Sequence, residues 1–363
     1  MIGGKPALGV NVPWLGDSYG HDFGRNASYP DWPADFDWWR TDRLFALLRS
    51  RGIALLRCWL FEDAEGLLVD ESGQVTGIDP LFLDNLAAFV RLADKWGMLV
   101  LWTLLDANSV RRRPDMATRA ILTDPLAAQC FVDKALDVVL PIIARVAWAI
   151  DLCNEPEAIV CGRLGNGTGL GVDWWAVTPQ LALLCHAVRH RRARLAVTIG
   201  SGFQEHRCLQ AGRYDGLPLD MLSYHAHAHG ADTVLLPASE ISANSPVILG
   251  ELGWPMPGGW PKNSASWEKC QQRLTERMKQ AIAAGYPATF LWFISDIVGN
   301  TDALVNAGDV GRPLELVAPF QASGIIATAD EIVPFPTLWQ RQATDLAGRH
   351  GQAPHPHHLI GST

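Results

Sequence analysis

AWAIDLCNEPEAIV, residues 147–160, is an apolar run that stops abruptly at Asn154-Glu155-Pro156. A strand buried on both faces has this composition, near-continuous Val, Ile, Leu and Ala without a polar face, and that pattern belongs to parallel sheets covered by helices. Pro156 ends the run, and the residue delivered at its end is a carboxylate. Seven further runs of the same kind surround it: LGVNVPW (8–14), IALLRCWL (53–60), MLVLWTLL (98–105), LAVTIG (195–200), LDMLSY (219–224), PVILGE (246–251) and ATFLWFI (288–294). Between most of them lie stretches with helical spacing, at 37–51, 80–96, 125–144, 174–192 and 264–284, with another at 337–349 after the last run. Helices after the fifth and sixth runs are short or poorly marked. Eight strand-helix alternations predict a (β/α)₈ TIM barrel, an α/β fold in one domain over 1–350, followed by a flexible tail over 351–363. A doubly wound open sheet is the structural alternative, but VPWLGDSYG after the first run lacks the G-x-G-x-x-G turn that such sheets use.

Bulk properties narrow the partners. With 48% hydrophobic and 19% charged residues in 363, the chain has ample apolar surface for a large core. A net charge of −8 argues against nucleic acid, and the basic clusters RRRPD and RHRRARLAV are short and local. Seven scattered cysteines without C-x-x-C pairs describe neither a disulfide framework nor a zinc site and are expected to be reduced core thiols. The N-terminus has no signal-peptide pattern and no window reaches the ~18 apolar residues of a membrane span, so a cytoplasmic protein is expected, or a secreted one if a leader precedes it. Trp is over-represented, with 15 copies against 5 Tyr. Indoles near loops would suit apolar sugar faces as well as core packing.

In a barrel all strand C-termini open on one mouth, so residues far apart in sequence can meet there. Glu155 follows the fourth run and Glu251 ends the seventh, in VILGELGWP. Two carboxyls facing each other across a cleft are the requirement of glycosidic bond hydrolysis, one as acid and the other as nucleophile or base. Glu155 suits the acid if an apolar wall and a neighbouring negative charge hold its proton on; Glu251 then needs a cationic setting that keeps it ionised. Arg57, an arginine inside an apolar strand, is expected to pair with a mouth carboxylate. Asn154 places an amide beside the acid, for a sugar 2-hydroxyl or for the turn at Pro156. SYHAHAHG puts His225 and His227 two apart, on one side of an extended segment. That pair invites a metal-dependent hydrolase as an alternative, with Asp106 or Asp296 as further ligands; hydrogen bonding near the nucleophile is the other role for the pair. Trp292, and with it Trp14, Trp59, Trp254 and Trp260, lies near a strand end and can line a sugar platform or pack in the wall.

Taken together, Asn154-Glu155-Pro156 after the fourth strand, Glu251 in GELG, Arg57, His225 and Trp292 resemble clan A of the glycoside hydrolases, most like family five, the cellulase-type enzymes, over about residues 8–345. The resemblance implies a retaining double displacement on a β-linked gluco- or manno-configured oligosaccharide or glycoside. Glu155 would be acid/base and Glu251 nucleophile, with Arg57 and His225 positioning the nucleophile, Asn154 on the 2-hydroxyl and Trp292 as platform. No metal or organic cofactor and no membrane or nucleic-acid partner is implied. Two positions depart from the pattern. His227 stands where the family commonly has a tyrosine touching the nucleophile, and LLDANS ends the third strand where many relatives have a histidine, so that Asp106 or Asn108 would take that sugar contact. A barrel that binds carbohydrate without cutting it is the remaining alternative.

Overall fold

The computed structural model describes residues 5–15, 21–26, 31–112, 117–160, 171–202, 206–227, 235–253, 264–292, 323 and 325–332. Within them every one of the eight apolar runs forms a strand of a single closed parallel barrel. The barrel strands are β1 (Ala7–Asn11), β2 (Leu55–Trp59), β5 (Leu99–Asp106), β6 (Ala147–Asn154), β7 (Val197–Ser201), β8 (Leu222–His227), β9 (Val247–Gly253) and β10 (Ala288–Leu291). They follow one another around the wall in chain order, and β10 closes on β1. A small antiparallel hairpin, β3 (Leu67–Val69) with β4 (Val75–Ile78), is inserted after β2 and has no counterpart among the sequence expectations. The sixth strand starts and ends three residues later than its apolar run, so both His225 and His227 are strand residues.

Helices α1 (Trp38–Ser50), α2 (Pro80–Lys95), α7 (Trp174–Arg191) and α10 (Ser264–Ala283) match the predicted stretches. Asp37, Asp79 and Asp173 cap the first three by accepting backbone N–H groups of the first turn, and Pro80 sits just inside its helix, where no N–H is needed. The stretch 125–144, expected as one helix, is α5 (Pro125–Phe131) and α6 (Asp137–Ile143) joined by a wide π turn at Val132–Leu136. Pro141 removes the donor that would reach the Asp137 carbonyl, and the wide turn sits immediately upstream. The short helices α3 (Ala107–Arg112) and α4 (Ala117–Thr123) follow β5, α8 (Arg207–Gln210) follows β7 and α9 (Ala238–Ile241) follows β8. The predicted last helix at 337–349, and the tail, lie outside the described residues. No described helix is long and apolar enough to cross a membrane.

The barrel interior is layered. Leu55, Leu101, Ala149, Met221, Ile248 and Phe290, with Trp148, plug the end from which the strands start. Two residues beyond Leu55, Leu101 and Ala149, on the same inward faces, come Arg57, Thr103 and Asp151, all fully buried. Outward-facing Leu56, Val100, Trp102, Ile150 and Leu249 pack under the helices in a separate, larger core. Of the cysteines, Cys58, Cys153, Cys185 and Cys208 are buried free thiols, as expected.

Candidate active site

Glu251 reaches the interior through an irregularity in β9. Tyr224 pairs with Leu249 but His225 pairs with Glu251, so Gly250 is an extra residue in the ladder. Without that bulge Glu251 would share the outward face of Leu249; with it the carboxyl turns inward, onto Arg57. Arg57 spends its whole donor fork there. Nη1 bonds Glu251 Oε1 at 2.5 Å and Asn11 Oδ1 at 3.1 Å, Nη2 bonds Asp151 Oδ2 at 2.9 Å and Asn154 Oδ1 at 2.8 Å, and Nε also faces Asp151 Oδ2, at 3.3 Å. Asp151 is the partner that sequence reasoning missed. It is fully buried and also accepts from Thr103 Oγ1 and the Gly200 N–H. An inward acid two residues beyond the plug of an apolar strand is the signal that could have found it.

Glu155 sits one residue past β6, where its backbone adopts φ 47° and ψ 60°, a left-handed conformation that costs a non-glycine residue about 1 kcal/mol or more. Its N–H donates to Gly200 O, and a single 3₁₀ turn, Pro156–Ile159, follows. The carboxyl is thereby aimed at the axis. Asn108 Nδ2 donates to Oε2 at 2.8 Å, and His225 Nδ1 lies 3.1 Å from Oε1. The same His225 nitrogen is 3.4 Å from Glu251 Oε1, so one imidazole stands between the two carboxylates. His227 Nε2 takes the other Glu251 oxygen at 2.8 Å. Both histidines therefore point into the mouth, one at each side of the nucleophile candidate; His229 lies outside the described residues.

These contacts set the charges. Burial pushes Glu251 up, but His225, Arg57 and the His227 hydrogen bond override it and hold the carboxyl at about 2. Burial is the largest influence on His227 and lowers it, but the Glu251 hydrogen bond and charge together with the Glu155 charge outweigh it, so the ring stays above the usual imidazole range. Glu155 departs from expectation. Burial and the Glu251 charge do push it up, yet the His225 hydrogen bond and charge, with the His227 charge, outweigh them and leave it below the usual carboxylate value. The sequence showed the wall and the neighbouring charge but not the imidazole bonded to the acid.

Asn154 is committed to protein at both ends of its amide, accepting from Arg57 and donating to Asp106 Oδ1 at 2.9 Å. Asp106 is buried beneath it and also accepts the Asn108 N–H. Of the two substitutes for the family histidine on the third strand, Asn108 is thus the one that touches Glu155. Trp14, Trp59 and Trp292 form a cluster at the mouth with ring centroids 5.9–6.3 Å apart, and Trp292 meets His227 edge-on at 5.9 Å. Trp14 is nearly buried, its indole N–H donating to Glu62 Oε2 at 2.8 Å, whereas Trp292 is partly open. Trp102 and Trp148 belong to the two cores. Trp254, Trp260, Asp296 and most of the glycine-rich stretch 162–175 lie outside the described residues.

Among the described residues, Glu155, His227 and Glu251 offer ligand atoms within 4.8 Å of one another, the one group with metal-like spacing. His225 is not part of it, and Arg57 and His227 already occupy both oxygens of Glu251. The His225/His227 pair expected for a metal-dependent hydrolase does not fall together in that group.

No family model matches the chain. Over 180 residues, 46% of this chain and 46% of the relative, it is 27% identical to a mannan endo-1,4-beta-mannosidase of Mytilus edulis, so the match spans about half the length of that curated relative. The fold superposes on the beta-mannanase of the same mussel with a TM-score of 0.60 and 18% identity, over 86% of this chain and 92% of that one. A glycoside hydrolase family 5 mannosidase from Rhizomucor miehei superposes with a TM-score of 0.51 and 12% identity, over 87% and 95%. At these identities the structural likenesses show the barrel alone. With the motif residues set around that barrel and the sequence match beside it, the chain resembles the glycoside hydrolases of clan A, most nearly those of family five.

Proposed function

We propose that the chain is a retaining glycoside hydrolase acting on β-linked manno- or gluco-configured saccharides, with β-1,4-mannan oligosaccharides the first substrates to try. The observation that carries this reading is the approach of Glu155 and Glu251, whose nearest carboxylate oxygens lie within 4.8 Å. Retaining enzymes hold their carboxyls ~5–5.5 Å apart, and inverting enzymes need ~6.5–9.5 Å to admit a water. The named mannanases among the similar proteins support the manno configuration.

In this reading Glu251, kept ionised by Arg57 and the two histidines, attacks the anomeric carbon while Glu155 gives its proton to the leaving oxygen. Covalent bonding consumes the Glu251 charge, which removes one of the two influences that raise Glu155 and prepares it to accept a proton from water. Because His225 draws Glu155 below the usual range, the acid form relies on a proton held along the 3.1 Å His225–Glu155 contact. Trp292 offers its ring as the platform, with Trp14 behind it. Asn154 and Asp106 act through Arg57 and the turn, and Asn108 steadies the acid.

Glu251→Ala should lower turnover of aryl β-mannosides and β-glucosides by roughly 10⁴-fold or more. Azide should restore part of it and yield the α-glycosyl azide, because the anion enters where the carboxylate stood. With Glu155→Ala, azide should instead yield the β-glycosyl azide. Wild-type rates in Glu251→Ala, on a substrate that the parent cleaves, would remove the assignment.

A further inference from the structure

Behind the acid/base turn lies a second carboxylate that the reaction above does not use. Glu157, two residues past Glu155 in the 3₁₀ turn, is fully buried. Its Oε1 accepts a short hydrogen bond from Ser201 Oγ, at the end of β7. The Tyr214 hydroxyl and the Cys208 thiol, both contributed by the chain after β7, face the same carboxylate. The main chain runs to the same place, since the Glu155 N–H bonds Gly200 O, next to Ser201. The turn is thus tied to β7 twice, by backbone at Glu155 and by side chain at Glu157, and the two ties flank the bond on which the left-handed Glu155 would otherwise relax. An apolar side chain would fill this space without the cost of burying a carboxyl, so packing alone does not account for the residue.

We propose that Glu157 is a positioning residue for the acid/base: locked onto Ser201, it holds the 3₁₀ turn so that Glu155 stays aimed between His225 and Glu251. This rests on the reading of Glu155 as acid/base. The titratable groups facing Glu157 among the described side chains are Tyr214 and Cys208 after β7, Cys153 on β6 and Glu155 in its own turn. From α3, packed against the turn, Asn108 reaches Glu155; the side chains of Arg111 and Arg112 lie outside the described set. Arg213 acts on Cys208, and burial is the largest influence on Glu157 itself. Burial brings the carboxyl to about 7, and its ionisation adds negative charge behind Glu155 that helps the acid keep its proton.

The test compares Glu157→Gln and the milder Ser201→Ala with wild type on two β-mannosides, one with a dinitrophenol leaving group and one an unactivated oligosaccharide. An anchor for the acid matters only where the leaving group needs a proton. The variants should lose about 10-fold more kcat/KM on the oligosaccharide than on the aryl mannoside, and the alkaline limb of kcat/KM should move to lower pH. Amide hydrogen exchange read in parallel should show Glu155, Ala158 and Val160 losing protection. Equal losses on both substrates, or no loss, with unchanged exchange would overturn the proposal. If wild type cleaves neither substrate, the function reading fails separately, and the exchange data decide the anchor: faster exchange at these three amides upholds it, and unchanged exchange ends it.

Discussion

Arg57 shows how much of the site depends on one side chain. It is fully buried with two carboxylates, Asp151 and Glu251, and bonds the amides Asn11 and Asn154 as well. Burying one cation with two anions is tolerable only while every lone pair facing it is used, and removing the cation leaves two desolvated negative charges facing each other. Arg57→Met should therefore cost about 3–5 kcal/mol of unfolding free energy in urea. A loss below about 1 kcal/mol would mean that the carboxylates repack or bind protons without difficulty. Lysine would not substitute, because a single ammonium cannot address Glu251, Asp151, Asn11 and Asn154 in one plane. The arginine was legible in the sequence as a charge interrupting an apolar strand, and so was its pairing with a mouth carboxylate. Asp151 was not, because a lone acid in AWAIDLC reads as strand interior until the inward face of β6 is known.

At the level of strands, the site is made possible by glycines. A Cβ added at Gly202 would stand 2.3 Å from His225 Cβ and 2.7 Å from Glu155 Oε1. One at Gly250 would stand 2.1 Å from Ser223 Oγ and 3.1 Å from the His225 ring. The bare backbones of β9 and of the loop after β7 leave the slot in which His225 fits between the carboxylates. Gly202→Ala should lower kcat/KM by about 100-fold while the protein stays folded, because displacing His225 by about an ångström misaligns both groups at once. Near-wild-type kinetics with an unchanged circular dichroism spectrum would show that the imidazole has room to move. The apolar runs located every barrel strand because burial on both faces leaves a composition that does not depend on context. Bulges do not leave such a trace. The inward turn of Glu251 depends on one extra residue in the β9 ladder, and Gly250 is equally compatible with a regular strand. The β3–β4 hairpin escaped notice for a related reason: strands of three and four residues, with three of the seven exposed, have too few positions to show a period.

For the molecule as a whole, the buried acids set opposing dependences on pH. Glu251, held at about 2, contributes stability that is present above the ordinary carboxylate value of 4.5 and is lost as pH falls toward 2. Glu157, raised to about 7, works in the other direction. Between 4.5 and 7 the unfolded chain has released that proton while the folded chain keeps it, so stability falls as pH rises through this window. Glu65, pushed well up by burial and the Asp22 charge, adds the same sign. His227, raised by Glu251, gives stability that is complete below the ordinary imidazole value of 6.5 and is lost as pH climbs through its folded value. Displacements like those of Glu251 and Glu157 correspond to on the order of 3 kcal/mol each. The net charge of −8 at pH 7 adds self-repulsion on the alkaline side. Unfolding free energy in urea should therefore peak near about pH 5 and decline by on the order of 3 kcal/mol toward about pH 8. Glu157→Gln, which cannot ionise, should remove a large share of that decline while leaving the acid limb, governed by Glu251, in place. A profile that is flat from about pH 5 to 8, or a decline unchanged in Glu157→Gln, would show that the carboxyl behind the Glu155 turn ionises as freely when folded as when unfolded.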